Sequence, residues 1–480
     1  MMRILIVVHR WIGITLCLLF AVWFASGMVM MYVPFPSLPE AERLERSPPV
    51  DLSELDRPLV RILDRLEGVT IDRARLIAFD QRPVLVIEST DHPTAAFYAD
   101  THLPVEPLTS DHARRIAERF SGSPVLSTQG PLDFDQWVVH QEFDRYRPFF
   151  RVALADTAGT TLYVSQVTGE ILQRTNRHQR TWNYLGAVVH WIYPTFIRKH
   201  WTLWDQLVWW LSLVGIIGAL LGLTLGIVHL RIAWRRGRRG LTSPFIGWMG
   251  WHHKLGLVFG VFVTTWIFSG WLSMDHGRLF SVPEPTAAQV ASFRGLTVRD
   301  AVSRVSIEMM QGFSGAREVE ISAVAGQPAV ITRYPARQTL RIIPTDGASP
   351  RALLERDIET AIGAAWPDSQ ILRIYRVPEN DPYTHLREGS LGSNTLRIVL
   401  GDAGGSWIHV DPSNGRIISV MDRTRRIYRW LFNGLHSFDF PGLVNRRPLW
   451  DVIMLGLLTC GFVFSITAIV IGYRRILGNR

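Results

Sequence analysis

Four stretches of this chain, roughly 4–32, 204–230, 249–274 and 449–473, are long and apolar enough to cross a bilayer, and none carries an acid, a lysine or an arginine in its central part. Inside hydrocarbon a backbone satisfies its N–H and C=O groups only in a helix or a closed barrel. These runs are therefore read as four membrane helices, and everything else must be arranged around their ends. The first run exceeds the apolar region of about 7–15 residues found in a cleavable signal peptide, so it is expected to remain as an anchor.

Basic residues set the expected orientation. Arg3 precedes the first helix, Arg231, Arg235, Arg236, Arg238 and Arg239 join the second to the third, and Arg474, Arg475 and Arg480 follow the fourth. Loops rich in lysine and arginine stay cytoplasmic, which puts both termini inside and the long connections, about 33–203 and 275–448, outside. The formal net charge of +9 is then largely topological, and no nucleic-acid partner is expected. The only cysteines, Cys17 and Cys460, lie within apolar runs. That leaves no disulfide framework outside and no C-x-x-C-H motif, so any haem would be held non-covalently.

The apolar runs repeat one another. His9-Arg10-Trp11-Ile12-Gly13 opens the first, and His252-His253-Lys254-Leu255-Gly256 opens the third after Trp251. In one gapless register His9 matches His252, Gly13 matches Gly256 and Ser26-Gly27 matches Ser269-Gly270. A second register pairs His190 with His436, Trp204-Asp205 with Trp450-Asp451, Gly226 with Gly472 and Gly169 with Gly415. The chain thus reads as an internal tandem duplication, and two copies of like orientation imply a pseudo-two-fold axis along the membrane normal.

Between the helices the pattern is helix then strands, twice in each copy. Helices are expected at 52–66 and 110–121 and strands at 74–79, 83–89, 95–99, 149–155 and 160–166. The second copy offers helices at 297–311 and 352–365 and strands at 317–322, 328–334, 339–343, 371–376, 395–400 and 406–411. Each outer part is expected to be α+β, an antiparallel sheet covered on one face by helices. The expected divisions are 1–32, first membrane helix; 33–180, first outer domain; 181–230, a histidine-bearing approach and the second helix; 231–248, a basic cytoplasmic loop; 249–274, third helix; 275–426, second outer domain; 427–473, the second approach and fourth helix; and 474–480, a tail.

Ionisable groups at membrane depth are candidates for chemistry. A two-fold axis would bring His9 opposite His252, and His190 opposite His436, so that a planar macrocycle on the axis could take one imidazole from each copy. Gly13 and Gly256, one turn beyond their histidines on the same helical face, would let a porphyrin approach the backbone. Gly186 would do the same beside His190 if 182–192 is helical. From His9 to Gly27 along one helix is about 27 Å at about 1.5 Å per residue, enough to separate two sites. His253 and His229, whose counterparts are Arg10 and Arg475, are read as interfacial residues around the ligand set, and His253 is the alternative to His252 as ligand. His140 and His385 lie in the outer parts, as substrate-facing or surface residues. A zinc site would need three or four ligands around one ion, whereas the histidines come in separated pairs.

These motifs make the chain resemble the PepSY-associated transmembrane family, the iron-regulated membrane proteins of Gram-negative bacteria. The likeness is carried by the His-Arg-Trp-Ile-Gly and His-His-Lys-Leu-Gly-Leu helix starts, the Ser-Gly pairs, and the hairpins Val167-Thr168-Gly169-Glu170-Ile171 and Asn414-Gly415-Arg416-Ile417. It implies a four-helix transmembrane bundle with two α+β PepSY-like periplasmic domains in the bacterial inner membrane. Since family members include ferric-siderophore reductases, it further implies two b-type haems on His9, His252, His190 and His436, and oxidoreductase activity that passes electrons to a periplasmic ferric siderophore or other ferric chelate. With no G-x-G-x-x-G fingerprint, the electron donor is expected to be quinol or a separate cytoplasmic reductase. The competing expectation is a haem-free PepSY protein that binds a periplasmic peptide or protein partner as a sensor or regulator.

Overall fold

The computed structural model describes residues 1–281, 285–344, 348–386, 389–392 and 394–478. Four helices are long and apolar enough to cross a membrane: α1 (Met2–Met30), α2 (Trp201–Arg235), α3 (Gly247–Leu272) and α4 (Leu449–Ile476). Helix α1 packs on α2 and α4, and α3 closes the bundle against the same two. Small residues let the backbones approach closely. Gly215, Gly218 and Gly222 of α2 receive Phe20, Ile12 and His9 of α1, and a methyl at Gly222 would lie 2.6 Å from Cε1 of His9. Gly461 of α4 receives Phe24 in the same way, with 2.6 Å left for a methyl.

The extramembrane parts are built from antiparallel strands. After α1 come β1 (Arg73–Phe79), β2 (Arg82–Glu88) and β3 (Ala95–Tyr98). The helix Ser110–Ser121 follows, capped by Thr109. Next is the sheet of β4 (Val125–Leu132), β5 (Phe149–Leu154), β6 (Thr161–Ser165) and β7 (Ile171–Thr175). After α3 come β8 (Glu318–Val324), β9 (Gln327–Tyr334) and β10 (Arg337–Ile342), then the helix Glu355–Ala365. The strands of this half continue with β11 (Ile371–Arg376), the short pair β12 (His385–Leu386) and β13 (Gly389–Ser390), β14 (Leu396–Leu400), β15 (Trp407–Asp411) and β16 (Arg416–Met421).

The two expected outer domains, 33–180 and 275–426, meet in one sheet. Strand β1 pairs antiparallel with β8, placing Arg75 opposite Glu320 and Leu76 opposite Val319. The result is one six-stranded sheet, β10-β9-β8-β1-β2-β3. The physical reason is that β1 and β8 are buried on both faces. Left unpaired, either would present a long edge of open N–H and C=O groups. The sheet is also covered on both faces rather than one. Leu76, Leu85, Val319 and Val330 face a layer containing Leu55, Ile62, Leu63, Val298 and Val302. On the other face Ile77, Val84 and Val86 meet Val152, Leu162 and Val164, while Ala329 and Ile331 meet Ile398, Ile408 and Val410.

Local differences have local causes. The helix expected over 297–311 divides into Val298–Ser303 and Ile307–Gln311, because Ser306 caps a second start by accepting from the backbone of Met309. Only Val60–Leu66 of the expected 52–66 helix is helical, following Pro58. Strand β4 has no counterpart among the expected strands. It contains Gly130-Pro131 and lies at a sheet edge, where proline is tolerated.

Where the two halves meet, the middle of the sheet carries buried charge. Arg75, only 1% exposed, bonds Glu88 at 2.7 Å and Glu170 at 2.8 Å and contacts Glu318 at 3.3 Å. Glu318 also takes Arg333 at 2.8 Å, Arg43 at 3.0 Å and Arg73 at 3.2 Å. Glu320 takes Arg73 at 2.8 Å, Arg333 at 3.0 Å and Arg416. Burial alone would raise these carboxyls, yet Arg73, Arg416 and Arg333 outweigh it and hold Glu320 down at about 2. Arg75, Arg43, Arg333 and Arg73 likewise keep Glu318 well below the usual range. Removing one member of such a network leaves uncompensated charge, so Glu318→Gln is expected to cost about 3–5 kcal/mol, read from thermal unfolding. Both carboxyls are depressed, so their contribution is complete above about pH 5 and is lost as pH falls toward 2. Circular dichroism of the sheet should follow that direction.

Candidate functional site

At the extramembrane end of the bundle, two short segments each carry one histidine to a membrane helix. The helix Arg177–Leu185, capped by Asn176, breaks at Gly186, and a short turn Ala187–His190 follows. Nδ1 of His190 lies 2.9 Å from Oγ of Ser26 on α1, and Nε1 of Trp23 donates to the His190 carbonyl at 2.9 Å. In the other half, the helix Arg423–Arg429 runs into a wide π-type turn, Trp430–Gly434, and then Leu435–Ser437. Nδ1 of His436 lies 3.0 Å from Oγ of Ser269 on α3, and Nε1 of Trp266 donates to the His436 carbonyl at 2.9 Å. The same Trp and Ser, three residues apart, serve each histidine.

The hydrogen bonds suit the Nδ1–H tautomer. The Ser26 hydroxyl donates to Val22 O at 2.6 Å, and that of Ser269 to Trp266 O at 3.0 Å. Each serine oxygen is then the acceptor, each imidazole carries its proton on Nδ1, and Nε2 keeps a free lone pair. Ligating histidines are oriented by this kind of bond. The two rings stand 6.3 Å apart, centroid to centroid, at 77°. A metal bonded to two imidazole nitrogens at about 2 Å each sets ring centroids about 6 Å apart. Burial, and then the charge of His436, push His190 down to about 3; burial pushes His436 to about 4. Both are therefore neutral, the form that coordinates. Gly27 and Gly270 adjoin the rings, and a methyl there would come within 3.8 Å and 3.6 Å of the Cε1 atoms. Gly186, expected in that role, instead packs against Val29 and Met30.

At the other level, Nδ1 of His9 lies 3.0 Å from Gly218 O, and Nδ1 of His252 lies 2.9 Å from Oγ1 of Thr467, whose hydroxyl donates to Phe464 O at 2.6 Å. Both imidazoles again carry the Nδ1 proton and leave Nε2 free. His9 leans on α2 and His252 stacks on Phe464 of α4 at 4.7 Å. Among the described residues no hydrogen bond or ring contact joins His9 to His252. Gly13 opens on free space, whereas the space beside Gly256 is taken by Phe464, whose ring would lie 3.3 Å from a methyl added there. His253 has the opposite arrangement: its Nε2 is tied to Gly226 O at 3.0 Å, and its ring faces His229 at 6.4 Å and Phe245 at 5.6 Å. Of the two adjacent histidines, His252 is the one with Nε2 unengaged.

A family model, the PepSY-associated TM region, matches residues 6–465. The chain belongs to the PepSY-associated TM family. A search of curated protein sequences finds no significant match.

Elsewhere in this PepSY-associated chain, His140 packs on Phe35 with Nδ1 3.3 Å from the Tyr193 hydroxyl, and burial, followed by the charge of Arg198, pushes it down to about 4. The side chain of His385 lies outside the described residues. Among the described residues no three His, Cys, Asp or Glu side chains gather as a metal cluster. The spacing in sequence points to the pairs but not to Trp23, Ser26, Trp266 and Ser269 as their supports. The signal is there in the repeated Ser-Gly, which lies one level away from His9 and so belongs to the other pair. Ser26→Ala and Ser269→Ala are each expected to lower stability by about 1 kcal/mol and to let both neutral tautomers appear at the adjoining histidine, read from ¹⁵N spectra of histidine-labelled protein.

Proposed function

We propose that this protein carries electrons across the bacterial inner membrane to a periplasmic ferric chelate, in the manner of a ferric-siderophore reductase. The observation that carries this reading is the pair His190 and His436, with free Nε2 atoms and ring centroids 6.3 Å apart. The reading takes the chain as an internal duplication with both termini cytoplasmic, so that the His190–His436 pair lies on the periplasmic side and His9 and His252 on the cytoplasmic side. His190 with His436, and His9 with His252, would hold two b-type haems as axial ligands. Haem supplies one-electron transfer when bound.

The chain's own residues have separate tasks. Ser26 and Ser269 keep the Nδ1 protons in place, and Trp23 and Trp266 anchor the backbone of each ligand. The bundle excludes water from the path, and His9 and Ser26 on one helix set the two levels about 26 Å apart. Iron reduced in a chelate of hard oxygen ligands is held less tightly and can be released. Electrons are drawn from quinol or from a cytoplasmic reductase.

The test is an absorption spectrum of the detergent-purified protein, oxidised and then reduced with dithionite, with haem quantified per chain. Two b-type haems are expected. His9→Ala or His252→Ala should remove one and leave the other, and His190→Ala or His436→Ala should do the converse. Absence of haem after expression with ample haem would overturn the reading and leave the extramembrane sheets as a binding module for a periplasmic peptide or protein.

A further inference from the structure

Close to the His190–His436 pair, the end of α2 and the end of α3 bring together four side chains that the electron path does not use. Asp205 lies in the first turns of α2, and Trp209 stands one turn further on the same face. Trp271 lies at the end of α3 and His276 just beyond it. Nε2 of His276 is 2.7 Å from Oδ2 of Asp205, and its ring lies flat on Trp209 at 4.9 Å and 5°. Trp209 in turn contacts Trp271 at 5.6 Å. Nε1 of Trp271 is buried without a hydrogen-bond partner among the described residues. A buried donor left unpaired costs stability and calls for an acceptor. The arrangement occurs once: the matching Asp451 of α4 is engaged instead by Arg447 and Tyr32.

The chemistry of these groups specifies a ligand. Asp205 accepts a hydrogen bond from Nε2–H of His276, which leaves Nδ1 as an acceptor. Trp271 offers an N–H to an oxygen. Trp209 and Trp271 offer flat faces. A flat ring with one O–H to give and one oxygen to receive is the chemistry of a hydroquinone. We propose that this cluster binds the ring of a lipid-soluble hydroquinone and is a second place where electrons enter the protein, at the level of the His190–His436 pair. The inference rests on the electron-carrier reading above.

In the step, the two O–H bonds of the hydroquinone break and two C=O bonds form. Each proton passes to Nδ1 of His276 in turn and from there to solvent. The two electrons would leave singly toward the His190–His436 pair, where a bound ferric haem would serve as the oxidant. Gly270 joins the two places, being next to Trp271 in sequence and in contact with His436.

The experiment uses the purified holoprotein under anaerobic conditions, a short-chain benzohydroquinone as reductant and dithionite as control, with the haem spectrum followed by stopped flow. Reduction by the hydroquinone is expected. His276→Gln should slow it about a hundredfold and Trp271→Phe about tenfold, while haem content and reduction by dithionite stay as in the parent protein. Equilibrium dialysis with the matching quinone, a readout independent of turnover, should show saturable binding that Trp271→Phe weakens about tenfold. Haem absent, or unresponsive to dithionite, overturns the electron-carrier reading itself. Haem reduced by dithionite but not by hydroquinone, or variants that react and bind as the parent does, overturns the hydroquinone site and leaves the carrier reading standing.

Discussion

The pairing of β1 with β8 is the contact on which the arrangement of the two halves depends. An antiparallel strand pair has a local two-fold axis, and this pair joins one strand from each half of the chain. The same sheet supports both extramembrane segments, and the short turns that follow them, Ala187–His190 and Leu435–Ser437, bring the two histidine rings to 6.3 Å. The buried arginines and glutamates at the seam add register to that pairing. Arg75 and Glu320 stand directly opposite each other, and a slip of one residue would send both side chains to the wrong face.

Much of this is legible from sequence for reasons of periodicity. The membrane helices are readable because hydrocarbon imposes both length and composition, and each observed helix begins within three residues of its expected start. Helix Ser110–Ser121 and strand Ile371–Arg376 fall where expected, since each is bounded by strong signals, the Thr109 cap in one case and Pro367 with Pro378 around the other. Pairing between distant strands carries no such local signature. Nothing in Arg73–Phe79 read alone distinguishes a partner in its own half from one some 240 residues away, so the shared sheet emerges only from the structure.

The candidate site divides along the same line. The histidines stand out because they recur in register, and the residues that recur are those in which both halves have the same task. The supports of the rings are hidden because they come from a different stretch of sequence than the histidine they serve. Ser26 lies 2.9 Å from His190 across the bundle, far from it along the chain. Where the two halves differ, repetition gives no guidance at all. Asp205 meets His276 while Asp451 meets Arg447 and Tyr32, and Gly13 opens on space while Gly256 meets Phe464. Such departures from symmetry are visible only once side chains are in place.

The position of the paired histidines just ahead of α2 and α4 has a consequence for biosynthesis. His436 is made after α3, and its ring is set by Trp266 and Ser269 of that helix. The His190 half is ready about half a chain length earlier, with its serine and tryptophan on the first helix. The paired site therefore closes only once residues 435–437 follow α3, and a ribosome that stalls ahead of them leaves a single imidazole.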